Sequence, residues 1–475
     1  MRRRLLRRTD FPFSVASLSV QIVVMAAGHG KRMHSVRPKV LHELAGRPLV
    51  AHVLDAARAL APRSLVLVVG HGGDDVRAAL AAPDLSIVTQ NPPRGTGDAV
   101  RVALAALPDD GVTLVVNGDC PLIPAATFAA LADVAATGKL AVLTARVSNP
   151  AGLGRIVRDT AGSVRAIVEE KDARPPERAI VEIYTGALAA PTVLLRRWVS
   201  GLRNDNAQGE LYLTDVIAMA VGEGVPVEAH VAADETDVLG VNDNAQLAAI
   251  ERIVQARQAN ALLKSGTWIA DPARIEIRGT LACGRDVRID VGCVFEGRVE
   301  LADGVEIAPH CLLHNVSVGA GTRIEAFSHL RDSTIGAHCR VGPYARFRPG
   351  VELDENVHIG NFVEVKASHV GRGAKANHLA YIGDATVGAS VNVGAGAIVA
   401  NYDGAYKHRT VIEDGASIGS NCVLVAPVKV GKGATIGAGS TITSDTPAGE
   451  LTVARVKQVS VPGWTRPVKK AGDAK

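Results

Sequence analysis

Residues 335–365 read IGAHCRVGPYARFRPGVELDENVHIGNFVEV, and a large apolar residue opens each successive group of six: Ile335, Val341, Phe347, Leu353, Ile359 and Val365. The period continues outward. Val287, Cys293, Val299, Val305 and Cys311 form an earlier register, and Val318, Ile324 and Leu330 the next. Downstream come Val387, Val393 and Val399, then, after a break, Ile412, Ile418, Leu424, Val430, Ile436 and Ile442. Many of these residues precede Gly, as in Val318-Gly319, Ile335-Gly336, Ile359-Gly360, Ile418-Gly419 and Val430-Gly431. A six-residue period suits neither an amphipathic helix nor a simple hairpin. It predicts a parallel β-helix from about Arg274 to Thr446, in which each coil stacks its aliphatic residues under those of the next. The glycines suit corners that need φ > 0 or close backbone approach.

The rest of the composition agrees with a solenoid plus another domain. The chain has 475 residues, 47% hydrophobic, with 48 Gly and only 3% aromatic residues. Its net charge is +4, and much of the excess sits at the ends, in Arg2, Arg3, Arg4, Arg7 and Arg8 and in Arg466, Lys469, Lys470 and Lys475. The body is near neutral, so no nucleic-acid partner is expected. Cys120, Cys283, Cys293, Cys311, Cys339 and Cys422 form no CxxC pair, and two of them occupy repeat positions. This argues against a disulfide framework or zinc site and for a reducing, cytoplasmic compartment. No stretch is long enough to span a bilayer. Residues 1–15 read as a disordered extension or a mis-assigned start. Leu18–Met25 reads as a first core strand and not as a signal-peptide core.

From about Val20 to Thr236 the pattern changes to apolar strands alternating with helices. Strands are expected at Gln21–Met25, Leu65–Val69, Ser86–Thr89, Thr113–Val116 and Ala141–Arg146. Helices are expected at Leu49–Leu60, Gly97–Leu107 and Ala126–Ala136. This alternation predicts an α/β domain with a mainly parallel sheet, whose ligands bind at the carboxyl ends of its strands.

The loops there carry the chemistry. Ala26-Ala27-Gly28-His29-Gly30-Lys31-Arg32-Met33 with Pro38-Lys39 is neither a Walker A loop nor a Rossmann fingerprint. Its amides, with Arg32 and Lys39, suit either phosphates or an ordinary basic surface turn. Gln90-Asn91 leads to Gly95-Thr96-Gly97, where a flat base can approach and a Gln amide can read its edge by paired hydrogen bonds. Asp119, in Asn117-Gly118-Asp119, is either a magnesium ligand or a turn cap. Glu169 lies beyond Gly154-Arg155-Ile156 and suits sugar hydroxyls or a solvated strand end. Asn242, in Gly240-Val241-Asn242, is also a good helix N-cap. A long helix should follow to about Ser265, with Leu247, Ile250, Ile253 and Val254 at helical spacing.

The combined motifs, with Leu211-Tyr212-Leu213-Thr214-Asp215, resemble the sugar-1-phosphate nucleotidyltransferases. With hexapeptide repeats behind them, the chain resembles the bifunctional N-acetylglucosamine-1-phosphate uridyltransferase / glucosamine-1-phosphate acetyltransferase family (GlmU type) from about Val20 to Lys470. That resemblance implies a Rossmann-like uridyltransferase domain at 16–241, a linker helix at 242–266, and a left-handed parallel β-helix acetyltransferase domain at 267–475. It implies that Ala26, Ala27, Gly28, Gly30, Arg32, Lys39, Gln90, Gly95, Thr96 and Asn117 bind UTP, with Gln90 at the uracil. Gly154, Glu169 and Tyr184 would bind the N-acetylglucosamine-1-phosphate end, and Asp119 and Asn242 would hold Mg²⁺. Three positions depart from the family: Asp98 for His, Leu153 for Tyr, and Tyr184 for a sugar-contacting Asn.

In the repeat region, Arg348 and Lys366 are three hexapeptides apart, one full turn of a three-sided coil, so they should stack. Asn377-His378-Leu379-Ala380-Tyr381 follows, and Asn401–Arg409 interrupts the repeat and must be extruded as a loop. Acetyl transfer to an amino sugar needs a base near neutral pH, for which His is suited, and cations for the phosphate. The resemblance implies that His378 is the base. It places Arg348, Lys366, Tyr381, Asn392 and Lys407 at glucosamine-1-phosphate. Ala395, Asn401, Tyr402, Ser420, Ala438 and Arg455 would line the acetyl-CoA, between subunits of a homotrimer. Asn421 stands where Asp is usual. The competing readings are an acetyltransferase with a vestigial first domain, a nucleotidyltransferase whose repeats only oligomerise, and a non-catalytic trimeric scaffold.

Overall fold

The structure is a computed structural model that describes residues 19–28 and 30–467. The extension expected over residues 1–15, His29, and Lys469, Lys470 and Lys475 lie outside the described residues. The chain divides into two compact units, Met1–Val254 and Gln255–Lys475.

The first unit is built on strands β1 (Val20–Ala26), β2 (Ser64–Val69), β3 (Leu85–Thr89), β4 (Val112–Asn117), β5 (Leu140–Arg146), β6 (Arg155–Arg158), β7 (Val164–Val168), β8 (Glu182–Pro191) and β9 (Val227–Val231). The strand order is β9-β5-β8-β4-β1-β2-β3, with the β6–β7 hairpin paired to β8. All pairs are parallel along β4-β1-β2-β3, while β8 runs antiparallel to both its neighbours. Parallel strands are covered on both faces, which is why β1 is a continuous apolar run. Ile22 and Val24 enter the core on one side with Leu67, Phe128 and Leu131; Val23 enters the other with Val66, Leu188 and Trp198. The chain passes from β1 to β2 and β3 on one side, then returns to place β4 on the other. The crevice at that reversal lies at the carboxyl ends of β1 and β4, where open α/β sheets bind ligands. The helices observed at Leu49–Arg58, Thr96–Leu104 and Ala125–Ala136 match the expected ones. The first stops short of Leu60 because the chain reverses at Ala61, with φ 46°.

The long helix runs Asn244–Lys264. Its Ile250 and Val254 pack with Met33, Leu44 and Leu49, while Ala259 belongs to the core of the second unit.

The second unit is a parallel β-helix. One 11-stranded sheet takes the short strands from Trp268–Ile269 to Leu451–Thr452, and a 15-stranded sheet covers the remaining faces. Each hexad-opening residue named above is buried, none more than 7% exposed. Registers restart because coils differ in length: Arg288 pairs with Glu306, but Glu306 with Arg323, one residue sooner. From Asn392 to Ser417 the coil is much longer, and the surplus is the loop at 401–409.

The glycine expectation holds in both of its senses. Gly319, Gly336 and Gly431 are needed for close approach: an added Cβ would sit 2.5–2.6 Å from backbone atoms of the next coil. Gly342, after Val341, takes φ 100°, and positive φ falls also on His310, Phe327, Tyr344, Phe362 and Leu379 at one corner. The first four rings stack as a ladder with centroids 5.1–5.2 Å apart, and this offsets the strain of the left-handed backbone.

Candidate active sites

Two cavities of about 510 Å³ each open at the strand ends of the first unit and share Met25, Thr96, Asn117 and Asp119 in their walls. Together they make one cleft with two ends. Ala26, Ala27, Gly28, Lys39, Gln90 and Gly95 line one end; Gly154, Glu169, Tyr184 and Asn242 line the other, with Arg32. Gly30 lines a smaller adjoining cavity with Arg32, Lys39 and Asn242. Thus every residue expected at the nucleotidyl site lines one cleft, except Gly30, which lines the adjoining cavity.

Local structure explains the placement. Gly30 has φ 58°, and an added Cβ would meet Lys39 Cβ at 2.8 Å, so the loop closes directly over Lys39. The Gly95-Thr96-Gly97 turn is held by the Leu211–Leu213 segment: Gly97 N–H donates to Leu211 O at 2.8 Å and Leu213 N–H to Thr96 Oγ1 at 3.0 Å. This contact explains why the two motifs, distant in sequence, belong together.

Asp119 Oδ2 pairs with Lys39 Nζ, and Asn242 Oδ1 accepts from Arg32 Nη2 at 2.9 Å. The helix cap is taken instead by Asp243, whose Oδ1 accepts from Gln246 N–H at 2.8 Å. Val241 N–H donates to Asp119 O at 3.0 Å, which brings Asn242 beside Asp119. Both oxygen donors therefore already hold a cationic nitrogen.

At the sugar end, Glu169 accepts from Thr214 Oγ1 at 3.1 Å. Burial raises its carboxyl above the ordinary value, against that hydrogen bond, and Asp215 and Asp172 add to the rise. Tyr184 N–H donates to Gly154 O at 2.8 Å, while the Tyr184 hydroxyl is sealed with no hydrogen-bond partner. Burial, and then Glu169, push that phenol up. Leu153, a second departure, is exposed at the cavity rim.

Gln90 differs from expectation in one respect. Its Nε2 donates to Gly95 O at 3.0 Å and to buried Asp98 Oδ2 at 2.9 Å. Both amide hydrogens are engaged within the protein, so Gln90 offers a ligand one acceptor and not a donor–acceptor pair. Burial raises the Asp98 carboxyl, but the Gln90 bond and the Arg101 and Arg94 cations outweigh it, and the net shift is downward.

In the β-helix, Arg346–Phe347 pairs with Glu364–Val365, which sets Arg348 over Lys366 as expected. Lys366 Nζ pairs with Asp384 Oδ2 at 2.9 Å, and that pairing raises its pKa. Lys407 reaches the same cluster, where Lys366 lowers its pKa. Tyr381 and Gly383 lie one coil beyond Glu364 and Lys366. Arg348 Nη1 lies 3.4 Å from Glu364 Oε1, so three cations, a phenol and two carboxylates gather on one face.

His378 ends strand Lys375–His378 and is exposed; the chain turns at Leu379, φ 48°, and Tyr381 begins the next face. His378 Nδ1 lies 2.9 Å from Asn361 Oδ1, its partner one coil back. An amide oxygen only accepts, so Nδ1 carries the proton and Nε2 keeps a lone pair. Ala395, Ser420 and Ala438 continue the His378 column coil by coil: Gly396 N–H donates to His378 O, Asn421 N–H to Ala395 O, and Gly439 N–H to Ser420 O. Arg455 Nη1 closes on Ala438 O at 2.5 Å. Asn392 lies in the same coil as Ala395, paired with Lys375. Asn401 turns its amide to Asp384, on the cation side, while Tyr402 is 61% exposed. Sequence reasoning missed Asn361, Asp384, Thr214 and the bond between Asp98 and Gln90. Only the coil spacing could have flagged Asn361, which precedes His378 by seventeen residues.

Comparisons with known proteins follow the same division. A family model of the MobA-like NTP transferase domain matches residues 22–202. A bacterial transferase hexapeptide model matches residues 332–367 and 409–444. The chain is 56% identical over 452 residues to the bifunctional protein GlmU of Cupriavidus pinatubonensis, covering 95% of this chain and 100% of that one. It is 55% identical over 455 residues to the protein of the same name from Ralstonia nicotianae, covering 96% and 100%. With that of Methylibium petroleiphilum it shares 57% over 459 residues, covering 95% and 100%.

Proposed function

The chain belongs to the bifunctional GlmU family, and on that premise we propose which residues carry each of its two reactions. It is a bifunctional transferase: an acetyl group passes from acetyl-CoA to glucosamine-1-phosphate, and uridylyl then passes from UTP to N-acetylglucosamine-1-phosphate with release of pyrophosphate.

In the acetyl step, His378 Nε2 takes a proton from the sugar's ammonium, and the freed amine attacks the thioester carbonyl. The coenzyme thiolate leaves. Arg348, Lys366 and Lys407 hold the sugar phosphate, with Tyr381 and Asn392 at the ring. Ala395, Ser420, Ala438 and Arg455 flank the acetyl-CoA, with Tyr402 at the loop. Asn401 joins them through the loop it anchors. What supports this reading is the corner at Leu379, φ 48°, which joins the strand ending at His378 to the strand beginning at Tyr381, itself one coil beyond Glu364.

In the uridylyl step the sugar phosphate oxygen attacks the α-phosphorus of UTP. Positioning and charge neutralisation do the catalysis. Asp119 and Asn242 present hard oxygen donors of the kind Mg²⁺ prefers, and the cations now bound to both support a cation site there. Mg²⁺ would neutralise phosphate charge. Lys39 and Arg32 would turn from those oxygens to the phosphates. Gln90, Gly95 and Thr96 hold the base; Gly154, Glu169 and Tyr184 hold the sugar.

The homotrimer is part of the same proposal. Phe327, Tyr344, Phe362 and Leu379 form a stripe 47–62% exposed that ends beside His378. An apolar stripe of that kind supports packing against another copy. All six thiols are free, which supports a reducing cytoplasm. Among the described residues no helix is long and apolar enough to cross a membrane.

The test is direct. Thiol release should require glucosamine-1-phosphate, pyrophosphate release should require Mg²⁺, and light scattering should give three chains. Full-rate pyrophosphate release in chelator would refute the metal assignment, and no thiol release would refute the acetyl site.

A further inference from the structure

We propose that Asp98 is a positioning residue for base selection: it locks the Gln90 amide so that only its oxygen faces the nucleotide, and the cleft accepts uracil and refuses cytosine. The inference rests on the reading that Gln90 meets the base of UTP.

Asp98 is 1% exposed and Gln90 4%. An ionised carboxylate accepts hydrogen bonds and cannot donate them. Arg101 Nη2 is paired with Asp98 Oδ1, and Arg94 Nη2 lies 3.4 Å from the same oxygen, so the carboxylate is held charged. Its other oxygen accepts from Gln90 Nε2, and Gly95 O accepts from the same nitrogen. Turning the amide over would press Gln90 Oε1 against a carboxylate and a carbonyl at once and leave all three without a proton between them. The amide therefore has one orientation, set by two acceptors.

Gln90 lines the nucleotide end of the cleft. Oε1 receives no hydrogen bond among the described residues and is not among their sealed unpaired atoms, so it remains open to a ligand. Uracil carries a proton on N3 and can donate to it. Cytosine carries a lone pair there and cannot. A buried acceptor left facing a lone pair discriminates strongly, because neither group regains the partner that water gave it. A residue at position 98 able to donate would let the amide present either face. The carboxylate removes that freedom.

The experiment measures kcat/KM for pyrophosphate release with UTP and with CTP on the full chain. It uses wild type, D98A, D98N, Q90A and the D98A/Q90A double variant. The UTP-to-CTP ratio is read within each preparation, so an inactive fraction cancels. Thiol release by the acetyl site checks each preparation. D98A should lower the ratio at least tenfold, mainly through a higher KM for UTP. Q90A should lower it similarly, and the double variant should fall no further, because Asp98 acts through Gln90. D98N, whose oxygen is claimed by Arg101 and whose amide can then donate toward Gln90, should lower the ratio at least threefold. A D98A ratio within twofold of wild type, an additive double variant, or a D98N ratio equal to that of wild type would overturn the proposal for Asp98. An unchanged ratio in Q90A would overturn the reading of Gln90 itself.

Discussion

At the scale of single residues, each functional group is defined by what occupies its other atoms. In the proposed acetyl site His378 would act as base through Nε2, because Asn361 occupies Nδ1. H378A should reduce thiol release by about 10²–10⁴-fold and leave pyrophosphate release unchanged. N361A should lower kcat for acetyl transfer without changing the KM for acetyl-CoA, since it frees the ring and not the donor. Glu169 carries a pH prediction. Burial raises its pKa, so the carboxylate is lost at a higher pH on acidification than for an ordinary Glu. The KM for N-acetylglucosamine-1-phosphate should rise as pH falls toward the carboxylate range, and E169Q should flatten that profile. The same shift opposes folding as pH rises through it, because the unfolded chain ionises first. Tyr184 lines the cavity but keeps its hydroxyl sealed and unpaired; on the proposed assignment Y184N should change the KM for the sugar phosphate and leave that for UTP within twofold. The sequence displays the groups that touch ligands, because they follow strands or break a repeat. It hides Asn361, Asp384 and Thr214, which lie a coil or a loop away and matter only through contact.

At the scale of elements, the hexad was legible because burial is periodic and every coil repeats it. The corners were less so. Glycine is needed where coils touch, and one positive-φ column carries stacked rings between Gly292 and Gly396. Gly360 illustrates this: an added Cβ would overlap Asn377 O, one residue before His378. G360A should destabilise the β-helix by about 1–3 kcal/mol and lower acetyl transfer, with uridylyl transfer intact; a thermal melt and the two assays decide it. In the strand Glu364–Lys366, K366A should raise the KM for glucosamine-1-phosphate about tenfold or more and release Asn401 through Asp384. Helix ends were the least readable features, since Ala61 turns the chain through a backbone conformation that its side chain does not announce.

At the scale of the whole chain, two units with separate cores carry two chemistries. The division at Val254 falls within the helix Asn244–Lys264, which supplies side chains to both cores. Composition foretold two architectures, because a sheet covered by helices and a solenoid need different periods. It could not foretell that one helix would serve both. On the proposed assignment the two reactions are independent and sequential, acetyl before uridylyl. The most direct measurement follows nucleotide-sugar formation from glucosamine-1-phosphate, acetyl-CoA, UTP and Mg²⁺, using wild type, H378A and D119A. Wild type should release thiol first and then pyrophosphate. H378A should form the nucleotide sugar only when N-acetylglucosamine-1-phosphate is supplied, and D119A should release thiol at the wild-type rate and almost no pyrophosphate. Loss of both activities in either variant, or pyrophosphate release ahead of thiol in wild type, would contradict the account.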